Sequence, residues 1–377
     1  MAAECFDVVV IGAGPAGARS AELLARAGRR VAICEASAIT RPKLCGGLLN
    51  RRAQTIANNL GGLPADVCIN TDSPALAFPA LEYHDLDNRI RAHSRPGYQC
   101  IDRLAFDKWL VTRAKDAGAQ VFPKTRVRSI TVSNDNVQSE TSTGTLAASW
   151  LIDASGAASF TRRRMGGPKQ MKLHAVQGEV KLDPAPDAMW AVYSSSYTPL
   201  FGWIIPRGGG RFFLGTALKL ANAKALRQEP QNAARVHWAI LAPLMDYIEH
   251  RGISIKPCTP RPRSARLAWT LAQDSLWWGR GPVLAVGEAA GLLSPFSGEG
   301  ISYALDSAKA AAFAIISSAG ADALPGLMAP LRLRLAAASS KACVTRHAWL
   351  RPWALWLMPM LTHQRLSYMR WRDGFQA

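Results

Sequence analysis

The chain is predicted to adopt an α/β fold: a Rossmann-like nucleotide-binding domain, an antiparallel-sheet domain inserted into it, and a helical tail at the C-terminus. Three observations lead there. A β-branched apolar run near the N-terminus opens directly into a glycine loop and a helical pattern. A strand, a glycine turn and a long helix recur in the last third of the sequence. Between them, strand-like alternation dominates, with one separate helical stretch. At 377 residues the chain is long enough for two domains, or for one carrying an insertion. Its composition, 49% hydrophobic and 19% charged, supplies a core and argues against disorder.

Residues 6–11 (FDVVVI) read as a buried parallel strand. Gly12-Ala13-Gly14-Pro15-Ala16-Gly17 follows, then a helical pattern ending at Gly28. Each glycine has its own task. Gly12 makes the tight turn, Gly14 lets a pyrophosphate approach the backbone, and Gly17 lets helix and strand pack closely. The helix start offers unpaired N–H groups and a positive dipole end to phosphate. A second apolar strand, residues 31–34, ends at Glu35, near the spacing of about 20 residues at which an acid meets ribose hydroxyls. By itself this unit suits NAD and FAD alike.

Later motifs favour FAD. A strand at residues 283–286 runs into Gly287-Glu288-Ala289-Ala290-Gly291, and after Pro295 the turn Gly298-Glu299-Gly300 opens an alanine-rich helix. Glu288 is placed for a polyol hydroxyl such as a ribityl chain. The second turn offers N–H groups to an electron-rich flavin edge or a phosphate. A nicotinamide cofactor would not need this third wall. Residues 151–156 (LIDASG) repeat the strand, acid and tight turn, and Asp102-Arg103-Leu104 leads into an amphipathic helix.

On these motifs the chain resembles, over residues 5–325, the flavoprotein group that includes para-hydroxybenzoate hydroxylase. Within that group it is most similar to the geranylgeranyl reductase family of FAD-dependent oxidoreductases. The resemblance implies a discontinuous FAD-binding domain of residues 1–73, 97–165 and 266–325. Residues 74–96 and 166–265 then form the substrate domain, and residues 326–377 the C-terminal helical region. It implies that Gly12, Gly14 and Gly17 hold the pyrophosphate, beside Pro15 and Ala16, with Glu35 on the ribose. Ala36, Lys43, Cys45, Gly46, Gly47, Arg103, Val127, Asp153, Gly156, Gly287, Glu288, Pro295, Gly298, Gly300 and Ile301 complete the implied FAD set. Glu288 stands where the superfamily usually has Asp and the subfamily often has Glu. From the residues alone, Arg103 can also be read as a solvated helix cap and Asp153 as an ordinary turn acid, each the lesser reading.

Two segments are candidates for substrate contact. Residues 42–49 (PKLCGGLL) fall where the family has a Cys-Gly-Gly segment near the flavin ring. Cys45 is a candidate catalytic thiol able to give a proton, although a single cysteine is more often a small core residue. The glycine pair would let backbone approach the isoalloxazine. Residues 201–206 (FGWIIP) resemble the family's aromatic-Gly-Trp-x-x-Pro strand opposite the flavin, which makes Trp203 the second catalytic candidate. Phe201 replaces a tyrosine of many members, and Trp203 as sheet core is the plainer reading. Strands are expected from residues 74–100, and a mostly helical stretch over 222–250, interrupted at Pro230. The histidines show no ligand spacing, so no metal site is expected.

The seven cysteines are scattered, with no CxxC pair, which fits a reducing cytoplasm. The formal charge of +18 is spread along the chain without a nucleic-acid motif. That leaves a solvated basic surface, an anionic membrane surface or an anionic ligand. No run approaches the roughly 20 apolar residues of a spanning helix, so a cytoplasmic protein is expected, with peripheral membrane contact left open. The tail, residues 347–375, sets Trp, Leu, Met and Arg at helical spacing, fit for a headgroup surface, a cavity wall, a partner or a core helix.

The expected chemistry is flavin redox on a hydrophobic or aromatic substrate. The first reading is reduction of a carbon–carbon double bond in an isoprenoid or lipid-like molecule, with Cys45 or a water giving the proton. The alternative is an FAD-dependent monooxygenase that hydroxylates an aromatic small molecule or a residue of a partner protein. GWIIP only echoes the halogenase signature, and no catalytic lysine is evident. A flavoprotein that docks to a protein partner is the third reading. No second GxGxxG exists, so electrons come from transiently bound NAD(P)H or from a reductase.

Overall fold

The computed structural model describes residues 3–69, 77–133, 136–198, 200–219, 232–271, 273–355 and 367–370. Two large sheets carry the fold. In the first, five strands run parallel in the order Val283–Ala285, Thr145–Asp153, Glu4–Ile11, Val31–Cys34, Gln120–Phe122. The middle strands are β-branched or small and buried, as a sheet covered on both faces requires. A hairpin, Val127–Ser133 and Asn136–Thr141, pairs antiparallel with Thr145–Asp153. Helix Pro15–Arg26 packs between Arg103–Asp116 and Ile301–Ile316.

Register aligns the motifs. Ile11 lies opposite both Cys34 and Asp153, and Asp153 opposite Ala285. Gly12, Glu35, Ala154 and Val286 therefore leave the sheet at one level, on its carboxyl edge. The ladder holds through this step: Gly12 N–H donates to Cys34 O at 2.8 Å, and Ala154 N–H to Ile11 O and Val286 N–H to Asp153 O at 3.0 Å each. Open parallel sheets take their ligands at this edge.

The second sheet has nine strands among the described residues. Met171–Asp183 pairs antiparallel with Arg211–Lys219, Ser254–Pro257 and Arg263–Trp269. The sheet continues through Gly202–Gly208 and Ala188–Tyr193 to Ala80–Asp85 and Ile90–Ser94. One joint is parallel, Ala188–Tyr193 beside Ala80–Asp85. There two separated pieces of chain meet, because the chain leaves this sheet after Ser94 and returns at Met171. Helix Ala233–Glu249 covers one face, burying Leu241, Leu244 and Ile248 against Val176, Val192 and Leu214. Residues 222–231 of the expected helical stretch lie outside the described residues. The opposite face gathers Leu81, Tyr83, Met189 and Tyr193 against Leu48, Tyr98 and Phe296.

The tail begins as expected with helix Ala329–Arg346. A further helical turn spans residues 351–355. Arg351 and Leu355 face inward, while Trp349 and Trp353 are 72% and 64% exposed. A four-residue spacing thus sorts the turn into a buried and an exposed face. The tail is not helical throughout: Ser367–Arg370 is a strand, paired antiparallel with Ile90–Ser94. An edge strand offers unpaired N–H and C=O groups, and this segment satisfies them. Residues 356–366 and 371–377 lie outside the described residues.

Candidate active site at the sheet edge

Sterics fix the first loop. A Cβ on Gly12, whose φ is +100°, would lie 2.7 Å from Ala154 O, and one on Gly17 would lie 1.9 Å from Gly12 O. No side chain fits at either, so helix Pro15–Arg26 settles onto the loop and aims its N-terminus at a cleft. Its first turn carries no side-chain cap and no acid, which leaves N–H groups for a ligand's phosphates. Gly14, Pro15 and Ala16 line the cleft, and Lys43 Nζ comes within 4.0 Å of the Cβ position of Gly14. Arg103 also lines it, held by Asp107 at 2.9 and 3.0 Å. Burial works against the guanidinium charge, and the Asp107 carboxylate more than restores it.

Glu35 stands behind this cleft. It accepts Ala13 N–H at 3.0 Å, Ser37 N–H at 3.0 Å and Arg41 Nε–H at 3.1 Å. Burial alone would push its carboxyl up, but Arg41 and the two amides outweigh burial and hold it below the usual range. Reaching a ribose would mean exchanging Arg41 for its hydroxyls. Ala36 follows Glu35 without lining the cleft, and Val127 lies further back in an apolar cluster with Ile11 and Cys34. Asp153 is turned inward as well. Its Oδ2 accepts Thr161 N–H at 2.7 Å and the Thr161 hydroxyl at 2.8 Å, and its Oδ1 accepts Ser155 N–H at 3.0 Å. The acid shapes the turn, and Ala154 and Gly156 are what face the cleft.

From the late motif, Gly287 and Pro295 form the frame and Glu288 faces inward. Glu288 Oε1 accepts Ala268 N–H at 2.8 Å, and its Oε2 lies 3.6 Å from the Cβ position of Gly156. Gly298, Gly300 and Ile301 line the far wall, where helix Ile301–Ile316 starts without a side-chain cap or an acid. Two uncapped helix N-termini, two cations and a cleft-facing acid thus share one cleft. This donor set fits FAD. Gly14, Pro15, Ala16, Lys43 and Arg103 would hold the pyrophosphate, Glu288 the ribityl chain, and Gly298, Gly300 and Ile301 the ring.

The cleft runs unbroken into an apolar chamber walled by Tyr83, Met189, Tyr193, Phe201, Trp203 and Phe296. Cys45 and Trp203 meet at its wall. Cys45 Sγ accepts Gly47 N–H at 3.4 Å and lies beside the Arg103 guanidinium. The Trp203 indole lies over Gly215, where a Cβ would come 2.3 Å from the ring. The Cys-Gly-Gly pair also has a packing reason within the protein itself. A Cβ on Gly46 would meet Ile205 Cδ1 at 2.5 Å, and one on Gly47, whose φ is +69°, would meet Ile101 O at 2.5 Å. The protein's own backbone therefore demands glycine at 47, while at 46 the Ile205 side chain would have to shift. Gly46 lines the chamber and Gly47 does not.

Sequence patterns passed over Arg41, Gln177, Tyr83 and Tyr98, and noticed Glu299 only through its flanking glycines. Gln177 belongs to no motif. The alternation Leu81, Tyr83 and Met189, Ala191, Tyr193 did carry a signal, one inward face on each of two paired strands. Among the described residues, no group of His, Cys, Asp and Glu is gathered as a metal site would need, and no helix is long and apolar enough to cross a membrane.

A parallel sheet with three cofactor-facing turns on its carboxyl edge, opening on an apolar chamber beneath a second sheet, defines an FAD-dependent oxidoreductase. The chain belongs to the family described as FAD binding domain, whose profile matches residues 5–329. The menaquinone reductase of Mycolicibacterium smegmatis is 28% identical over 338 residues, covering 81% of this chain and 75% of that protein. The structure of a geranylgeranyl bacteriochlorophyll reductase-like protein from Thermoplasma acidophilum shares the fold, with a TM-score of 0.73 at 19% identity over 93% of this chain and 91% of that one. So does the flavin-dependent halogenase CmlS, with a TM-score of 0.65 at 21% identity over 91% of this chain and 63% of that one.

Proposed function

We propose that this oxidoreductase saturates a carbon–carbon double bond in an isoprenoid or other lipid-like substrate. The carrying observation is the chamber: apolar and aromatic, and continuous with the cleft that would seat the flavin ring. When bound, FAD supplies the two-electron chemistry. The chain's part is to hold an alkene against the ring and keep water out. The names of two relatives, a menaquinone reductase and a geranylgeranyl bacteriochlorophyll reductase-like protein, support a prenylated substrate. Electrons reach the site from NAD(P)H binding transiently or from a separate reductase. The exposed Trp349 and Trp353, on a chain of charge +18, suit contact with an anionic lipid surface from which such a substrate would enter.

The test mixes anaerobically reduced, FAD-loaded protein with geranylgeraniol or with a menaquinone and analyses the prenyl chain by mass spectrometry. Saturation of the chain coupled to flavin reoxidation is the expected result. A hydroxylated product that forms only in oxygen, with every double bond intact, would replace this reading with the monooxygenase one.

A further inference from the structure

The geometry points to Glu299 as the proton donor of this site, an assignment that rests on the double-bond-reduction reading. Glu299 lies between the two glycines of the turn at the ring end of the cleft and lines the cavity it shares with Tyr83 and Tyr98. Asn50 fixes its orientation. Asn50 Oδ1 caps the helix Arg51–Asn59 by accepting Ala53 N–H at 2.8 Å, so its Nδ2 is the atom that donates to Glu299 Oε2, at 2.8 Å. Tyr98 hydrogen-bonds the same carboxyl.

No salt bridge holds Glu299 among the described residues. The charged and titratable groups around it are Tyr83, Tyr98 and Tyr303, with Arg334 and Lys341 from helix Ala329–Arg346. Arg334 is engaged elsewhere, with Asp306 at 2.9 Å and Ser302 at 2.8 Å. Burial pushes the Glu299 carboxyl above the usual range, and the hydrogen bonds from Asn50 and Tyr98 offset this only in part. Without an ion pair to hold it charged, burial favours the protonated form of this carboxyl.

Saturating a double bond takes one hydride, supplied by reduced flavin, and one proton. The Glu299 O–H bond breaks as a C–H bond forms at the carbon that does not receive the hydride, and the alkene's π electron pair makes that new bond. The carboxylate left behind regains its proton from solvent.

The experiment compares FAD-loaded wild type with Glu299→Gln and Glu299→Asp. Infrared difference spectra in H2O and D2O near neutral pH should show a protonated-carboxyl band in wild type that Glu299→Gln lacks. With dithionite-reduced protein and geranylgeraniol, reoxidation should slow by about 100-fold or more in Glu299→Gln, and Glu299→Asp should recover part of the rate. Flavin content and dithionite reduction should not change. Absence of the band in wild type, or wild-type reoxidation by Glu299→Gln, overturns the assignment while double-bond reduction stands. A wild type that saturates no prenyl chain removes the functional reading and this assignment with it.

Discussion

Trp203 and Cys45 are joined through a single side chain. The Trp203 indole N–H donates to Gln177 Oε1 at 3.0 Å, and Gln177 Nε2 donates to the Cys45 carbonyl at 3.2 Å. The strand bearing Trp203 and the loop bearing Cys45 come from regions more than 150 residues apart in sequence, yet they are held in one rigid wall of the chamber. Gln177 therefore positions both candidates without belonging to either motif.

Gln177→Leu should loosen that wall while leaving the flavin cleft intact. The indole N–H would lose its acceptor inside an apolar wall, at about 1–3 kcal/mol. The expected result is wild-type flavin content, a lower melting temperature and slower single-turnover reoxidation by a prenyl substrate. Visible spectroscopy, differential scanning fluorimetry and stopped-flow mixing read these separately. Unchanged reoxidation would mean that Trp203 needs no anchoring.

Gly17→Ala tests the other end of the cleft. With Gly12 O only 1.9 Å from the new methyl, the helix must move away from the loop, and its N-terminus leaves the phosphate position. Overpacking of this kind destabilises by roughly 1–3 kcal/mol. Most of the flavin should be lost on purification, as read by the ratio of flavin to protein absorbance. Full flavin retention would show that the loop can yield.

The nucleotide end was legible in the sequence because its signals are steric and local. Gly12, Gly17 and Glu35 fall within one βαβ unit, and each is fixed by neighbours near in sequence or in register. The chamber was less legible. Tyr83 and Tyr193 become neighbours only through the parallel joint of two distant strands, and Gln177 acts through two hydrogen bonds that no spacing encodes. Asp153 carried a true motif signal, but its carboxylate serves Thr161 and Ser155 inside the turn. In the tail, helical spacing signalled a two-faced turn but not that Arg351 and Leu355 are its inward residues, and the strand Ser367–Arg370 depends on an edge supplied some 270 residues earlier.

Acid should weaken the second sheet through Glu82. Burial alone would raise its carboxyl, but hydrogen bonds from His84 and Arg91 bring it from an ordinary 4.5 down to about 2. A depressed folded value means that the stabilisation is complete above pH 4.5 and is lost as the pH falls towards 2. The contribution is at most about 3 kcal/mol. Denaturant melts of wild type and Glu82→Gln should therefore converge over that window and run parallel above it. A constant gap between them would rule out this linkage.

The tail's inward and outward faces make opposite predictions. Arg351, 2% exposed, pairs with Asp85 at 2.6 Å and Asp87 at 2.9 Å. Arg351→Met would leave the buried Asp85 carboxylate without its cation, and removing one partner of such a pair costs about 3–5 kcal/mol. Its melting temperature should drop sharply, and Asp85→Asn in the same chain should restore part of the loss. The outward pair touches solvent, so Trp349→Ser with Trp353→Ser should leave the melting temperature unchanged. If these tryptophans meet a lipid surface, that double variant should sediment less with phosphatidylglycerol vesicles, and salt should weaken wild-type binding by screening the basic surface. Arg351→Met studied below its melting temperature separates the two effects, because it disturbs the anchor while leaving both tryptophans in the chain. Equal vesicle binding by wild type and the tryptophan double variant would leave the exposed face without a lipid role.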